Sequence, residues 1–160
     1  MIDLGIRDRT GRPVTLHPVD DANWRAVADV VPRDDQRDFV PPSAARYLLL
    51  SLRERVWTSL AVVAGEEVVG HVMWAWDEDD GCHWIGGMLV DASQQGTGVG
   101  RATVLTLARR LLDRPGGHPV RLSVDPANAS ARRLYASVGF VELDEQVDGE
   151  VVAELTALPG

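Results

Sequence analysis

Gln95-Gly96-Thr97-Gly98-Val99-Gly100-Arg101 sits between a short apolar run at 85–90 and a helical pattern over 99–112. Its glycines fall at alternate positions, so backbone N–H groups stand clear of side chains where a helix begins. Such a turn can wrap a phosphate: the N–H groups converge on it, and the helix dipole favours negative charge. Two familiar phosphate loops do not fit. A P-loop needs Lys after its last glycine, and all 16 basic residues here are Arg. A dinucleotide fingerprint needs Gly or Ala where Arg101 stands, three residues after Gly98. A second block lies downstream, Asn128-x-x-Ala131-x-x-Leu134-Tyr135-x-x-x-Gly139-Phe140. Asn128 and Tyr135 are two helical turns apart and share a face, with the small Ala131 between them. A flat, partly polar face of that kind can border an extended ligand.

The elements that carry these motifs follow from the hydrophobic period. Residues 14–19 predict a first strand. Asp20 or Asp21 can cap a helix in which Trp24, Val27, Ala28 and Val31 recur at helical spacing, and Pro32 ends it. A polar bridge over 33–42 leads to a second helix at 43–55, with Ala44, Tyr47, Leu48 and Leu52 as its apolar stripe. The period then changes to two. Strands at 60–64 and 68–76 are joined by the tight turn Gly65-Glu66-Glu67, and a third antiparallel strand spans 82–90. The glycine loop and its helix follow, stopped by Pro115-Gly116-Gly117. Next come a strand at 120–124, a helix started by Pro126-Ala127-Asn128 with Gly139 as its C′ residue, and strands at 140–147 and 151–158. The order β-α-α-β-β-β-α-β-α-β-β predicts an α/β fold with one mixed, mostly antiparallel sheet and helices on both faces. It is expected to form a single domain over residues 1–160.

With 45% hydrophobic and 25% charged residues, the chain has the composition of a globular domain with room for one full core. No apolar run nears the roughly 20 residues of a membrane span, and the opening stretch 1–12 is too polar for a secretory signal, so no membrane partner is expected. The single cysteine, Cys82, excludes an internal disulfide and fits a reducing, cytoplasmic compartment. No metal site is expected. The formal charge of −8 argues against nucleic acid, whose phosphates demand a basic surface, and agrees with a cationic ligand drawn in by the overall field.

Gln95-x-x-Gly98-x-Gly100, set between a strand and a helix, resembles the acetyl-coenzyme A signature of the GNAT superfamily of N-acetyltransferases, Gln/Arg-x-x-Gly-x-Gly/Ala. The block at 128–140 resembles that family's second conserved block. The two motifs span 84–140, and the element order extends the resemblance over nearly the whole chain. The resemblance implies acetyl-CoA as cosubstrate and a sheet splayed between its fourth and fifth strands, with the thioester in the gap. It implies that the backbone of Gln95, Gly96, Thr97, Gly98, Val99, Gly100 and Arg101 cradles the pyrophosphate, and that Met88, Leu89 and Val90 pair with the pantetheine arm. Asn128 and Ala131 would border the cosubstrate, and Tyr135 would stand near the sulfur as general acid. Gly86-Gly87 suits the bulge that the family carries in its fourth strand, and a backbone N–H near Met88 would polarise the thioester carbonyl.

The implied reaction is direct attack by a neutral amine in a ternary complex. An alkylammonium of pKa near 10.4 is only about one part in a thousand neutral at pH 7, so a base must take its proton, directly or through water. His71, His83, Glu150 and water are the candidates, and the sequence does not choose among them. Cys82 reads as a small hydrophobe rather than a covalent acetyl carrier. Within the superfamily, residues 14–19 with Asn23-Trp24-Arg25, Gln36-Arg37-Asp38-Phe39-Val40, Val69-Gly70-His71-Val72-Met73 and Asp148-Gly149-Glu150-Val151-Val152 look like the spermine/spermidine or diamine acetyltransferase-like branch. A polyamine needs carboxylates for its remaining ammonium groups. Asp34, Asp35 and Asp38, in the bridge between the first helices, are the substrate-binding residues this implies, with Glu150, while Asp77-Glu78-Asp79-Asp80 reads as a solvated loop. Gly86-Gly87 departs from the bulky or basic residues common in relatives and implies a larger pocket or a different acceptor. An antibiotic amine or a protein N-terminus as acceptor stays open, as does a non-catalytic CoA-binding sensor. Relatives are often homodimers, so a homodimer is possible here.

Overall fold

The alternation of apolar side chains between 58 and 90 builds the centre of the sheet. The computed structural model describes residues 1–160. In it β1 (Val14–Pro18), β2 (Thr58–Ala64), β3 (Glu67–Asp77) and β4 (Cys82–Val90) form an antiparallel series, and β5 (Val120–Val124) joins parallel to β4. With β6 (Val141–Val147) and β7 (Glu150–Leu155) the sheet has seven strands in the order β1-β2-β3-β4-β5-β7-β6. The helices are α1 (Trp24–Ala28), α2 (Ala45–Glu54), α3 (Val99–Leu112) and α4 (Ala129–Val138). This is the mixed α/β architecture that the element order predicts.

α3 is buried along most of its length. Val99, Val104, Leu107 and Leu111 pack on Val14, Leu16, Val120 and Leu122 in the main core. A smaller cluster of Val27, Val30, Ala44, Ala61 and Leu89 seats α1 and α2 on the opposite face. Because that cluster is small, two expectations shift. α1 stops at Ala28, since Val31 leaves the helix to give its N–H to the Asp91 carboxylate and its carbonyl to the Ala92 N–H. α2 turns Tyr47 and Leu48 to the protein but leaves Leu52, assigned to its apolar stripe, 73% exposed. The bridge before α2 holds a 3-10 turn at Asp34–Gln36. Residues 1–13 fold back on the sheet through Ile2↔Leu16 and Arg7↔Pro13. Asp8 organises this segment. Burial opposes its ionisation, but hydrogen bonds from Thr10 and Arg12 outweigh that and hold its carboxyl below the usual range. No helix is long and apolar enough to cross a membrane.

Two features of β4 shape the site. β4 and β5 are in register only at His83↔Val120 and Trp84↔Arg121; beyond these, the strands diverge. In the β3–β4 ladder, His71 faces Leu89 but Met73 faces Gly86, so β4 carries one extra residue between those pairs. The bulge centres on Gly87, at φ +57, where a Cβ would lie 3.0 Å from Met73. A bulge increases local twist and bends its strand. Here it turns the free edge of β4 away from β5.

Candidate active site

The turn from β4 into α3 has the geometry expected of an anion cradle. Gly96 and Gly98 sit at φ +80 and +85, conformations that side-chain-bearing residues rarely adopt. The N–H groups of Gly96, Gly98, Val99, Gly100 and Arg101 have no acceptor in the protein. Thr97 turns away from the cradle: its carbonyl accepts the Arg9 N–H and its hydroxyl bonds the Gln94 carbonyl. The Gln95 side chain braces the turn, donating to the Val90 carbonyl at 2.9 Å and to Gln36 at 3.1 Å.

Above this turn runs a groove of ≈ 420 Å³ between β4 and α4. Met88, Leu89 and Val90 form one wall, and Asn128, Ala131 and Tyr135 the other. The Leu89 side chain is buried in the smaller core, so this residue offers the groove only its backbone. Asn128 caps α4, its Oδ1 accepting the Ala131 N–H at 3.2 Å. Arg9, Arg101 and Arg133 line the groove, and no carboxylate does. Arg9 had no signal in the sequence, because only the folding back of residues 1–13 brings it to Gly98. Its Cγ lies 2.8 Å from where a Cβ on Gly98 would stand. Unpartnered amides, a turn that admits only glycine at its narrowest point and cations without carboxylate partners fit a diphosphate group.

A second cleft of ≈ 760 Å³ shares Met88, Asn128, Ala131 and Tyr135 with the first, so the two are continuous through the β4–β5 splay. Its character is opposite. Asp77, Glu78, Asp80, Asp125, Asp148 and Glu150 line it with the aromatic side chains of Tyr47, Trp57, Trp76 and Trp84, and no Arg does. Asp34, Asp35 and Asp38, assigned to the substrate from the sequence, line neither cavity: all three are exposed, Asp34 pairing with Arg37 and Asp35 with Arg33. The acidic turn after β3, read as a solvated loop, supplies lining carboxylates instead, because the β3–β4 hairpin overhangs the cleft. Gly86 and Gly87, expected to enlarge the pocket or alter the acceptor, both line this second cleft. The Trp57 indole lies against the strand there, its Cη2 and Cζ3 3.1 Å from a Cβ built on Gly86.

The base candidates separate cleanly. His71 is fully buried, bonded through Nδ1 to the Gly87 carbonyl at 2.6 Å and through Nε2 to Ser59 Oγ at 2.8 Å. Burial lowers its pKa to about 4, against some help from the Gly87 bond. His83 is buried against Trp74, Trp76 and His118, and its pKa is lowered by burial, then by Arg114 and His118. Neither histidine lines either of these two cavities. Glu150 does, and it accepts a bond from Ser123 Oγ at 3.2 Å. Tyr135 stands where the two cavities meet. Burial, then the charges of Tyr47 and Glu150, push its pKa up to about 12, and no protein group hydrogen-bonds its hydroxyl. Cys82 is buried, and burial raises its thiol to about 11, which suits an inert packing residue.

Residues 20–140 match the sequence model of the Acetyltransferase (GNAT) family. The chain belongs to the GNAT acetyltransferase family. No curated protein sequence matches it. This GNAT acetyltransferase is therefore an acetyl-CoA-dependent N-acetyltransferase. Solved structures share its fold at low identity. RimJ of Mycobacterium smegmatis, in complex with CoA-disulfide, aligns with a TM-score of 0.69 at 20% identity over 93% of this chain and 84% of that one. The spermidine N-acetyltransferase of Vibrio cholerae, in complex with CoA and spermine, gives 0.67 at 15% over 88% and 92%. The aminoglycoside acetyltransferase AAC(6')-Ib with coenzyme A gives 0.71 at 22% over 88% and 92%.

The burial of His71 in this GNAT fold has a consequence for stability. The folded enzyme holds the ring neutral down to about pH 4, whereas the unfolded chain takes up the proton near 6.5. The stabilisation is fully present above pH 6.5 and is lost as pH falls from 6.5 towards 4, amounting to about 3 kcal/mol over that window. Thermal melts from pH 7 to 4 are expected to fall more steeply for the wild type than for His71→Asn. Parallel curves would remove His71 as the cause.

Proposed function

We propose that this enzyme acetylates small amines carrying more than one positive charge, polyamines being the class its cleft suits best. The supporting observation is the segregation of charge: arginines around the glycine turn, and around the second cleft carboxylates of which only Asp80 has an arginine partner, Arg121 at 3.6 Å. Arg9, Arg101, Arg133 and the free amides of Gly96, Gly98, Val99, Gly100 and Arg101 would hold the phosphates of acetyl-CoA, which supplies an activated acetyl thioester when bound. Aromatic walls add cation–π attraction for alkylammonium groups, worth roughly 0.5–2 kcal/mol each. All seven strands share one sheet, which favours a single domain over 1–160.

In this reading the side chains divide the work as follows. Glu150 takes the proton of the bound ammonium, directly or through one water. The Met88 N–H polarises the acetyl carbonyl. Tyr135 keeps its proton at Oη: from about 12, full transfer to a thiolate of the ordinary range near 8.5 is uphill by about 5 kcal/mol. Its contribution is then a hydrogen bond that strengthens as charge develops on the sulfur. A second reading, a polycationic aminoglycoside as acceptor, draws on the cleft's ≈ 760 Å³ and its carboxylates, and one solved relative in fold is an aminoglycoside acetyltransferase with kanamycin bound.

Incubation with acetyl-CoA and a panel of spermidine, a diamine, kanamycin and a peptide N-terminus, followed by thiol release, tests the proposal. Turnover is expected with spermidine above the peptide. Glu150→Gln is expected to lower kcat/KM for the amine by roughly 10²-fold with CoA affinity unchanged. Turnover confined to the peptide would overturn the assignment, and preference for kanamycin would favour the second reading.

A further inference from the structure

The bulge in β4 leaves the Gly87 carbonyl outside the β3–β4 ladder, since His71 pairs with Leu89 and Met73 with Gly86. Glycine at φ +57 does little by itself to hold a peptide plane in one orientation. A side chain does so here. The Gly87 carbonyl can only accept, so His71 Nδ1 carries the proton of the 2.6 Å bond, and Nε2 must accept from the Ser59 hydroxyl at 2.8 Å. Ser59, having given its proton to the ring, accepts from Ser51 Oγ at 2.7 Å. The Tyr47 ring lies parallel to the imidazole, with centroids 5.4 Å apart and planes 8° from each other. Every polar atom of His71 is thus committed, and the ring can neither turn nor titrate without breaking this chain of bonds.

The Gly87 C=O and the Met88 N–H belong to the same planar trans peptide and point in opposite directions. Fixing the carbonyl toward β3 fixes the N–H away from it, on the side of the β4–β5 splay where Met88 lines both cavities. We propose that His71 is a positioning residue: by gripping the Gly87 carbonyl through Nδ1 it aims the Met88 N–H at the place where the acetyl carbonyl is polarised. This assigns buried His71 a part in turnover without contact with either substrate, and it rests on the reading of the splay as the seat of the thioester.

Three substitutions separate positioning from packing. In His71→Asn the side-chain N–H₂ takes the place of Nδ1 and can still donate to the Gly87 carbonyl. In His71→Gln the amide reaches toward the place of Nε2, and in His71→Leu there is no donor. The Leu variant is expected to lose roughly 10–100-fold in kcat with unchanged CoA affinity by calorimetry, Asn to stay within about threefold of wild type, and Gln to fall with Leu. In the ligand-free protein, the Met88 amide resonance is expected to stay single and unmoved in the Asn variant and to shift or double in the Leu variant. Wild-type kcat with Leu, an Asn variant as slow as Leu, or an unmoved Met88 resonance in Leu would each overturn the proposal. If Leu does not fold, the Asn and Gln pair decides by the same comparison, equal effects counting against it. Because the amide resonance is read without substrate, an enzyme that acetylates none of the tested amines would defeat the proposed function and leave this measurement standing.

Discussion

Tyr135→Phe is expected to lower kcat by roughly 10²–10³-fold while CoA affinity stays within about twofold of wild type. The two effects separate because two elements produce them. In the proposed reading the diphosphate is held by the turn before α3, whereas Tyr135 presents its hydroxyl from α4 where the cavities join. Phenylalanine keeps the ring, its edge contact with Phe140 at 6.2 Å and its packing on the main core, so the fold loses nothing. What disappears is one hydrogen-bond donor at the junction of the two cavities. Burial and the neighbouring Tyr47 and Glu150 keep that proton in place up to about pH 12, so the rate should show no loss from Tyr135 ionising below pH 11. Steady-state kinetics with calorimetry of CoA binding checks both parts. An unimpaired Phe variant would leave the leaving sulfur without help from this phenol.

Gly98→Val is expected to cost about 100-fold in CoA affinity, near 3 kcal/mol, and to lower the melting temperature by what its backbone strain requires. Gly98 is the N-cap of α3 at φ +85, where a β-branched residue is strained by at least roughly 1–2 kcal/mol. Its Cβ would also meet Arg9 Cγ at 2.8 Å and the Arg9 nitrogen at 3.2 Å. Relief of either contact moves the turn at 96–101 or the arginine beside it, and in the proposed reading both hold the phosphates. Gly81→Ala is the control. Gly81 also has positive φ, at +61, but has open space around it and lies in the β3–β4 turn, so the change should strain the backbone and leave CoA binding alone. Equal affinity of the Gly98→Val and wild-type proteins would remove the turn from the cofactor site.

Local chemistry was legible wherever it did not depend on a distant partner. α3 runs from Val99 to Leu112 as its pattern predicts, because a glycine opens it and Pro115 with Gly116 and Gly117 closes it. Gly139 ends α4 at φ +113 for a reason that its own backbone contains. The Gly86-Gly87 pair marked the bulge, and the hydrophobic period set the order of strands. The motifs at 95–101 and 128–140 carried the family, and the helix that presents Tyr135 followed from its own pattern.

The tertiary structure decided which charged and aromatic groups face the two cavities. Arg9 reaches Gly98 because Asp8 ties down a segment with no periodic pattern. Asp34 and Asp35 pair with their own neighbours in solvent, while the overhanging β3–β4 hairpin brings Asp77, Glu78 and Asp80 to the cleft. Trp57 fills the space that Gly86 leaves, and His71 turns from a candidate base into the holder of a carbonyl. Each of these depends on which side of a strand or turn ends up beside a residue far away in the chain. Spacing along the backbone encodes period and turns, but the partner of a side chain is set only when the sheet closes its register.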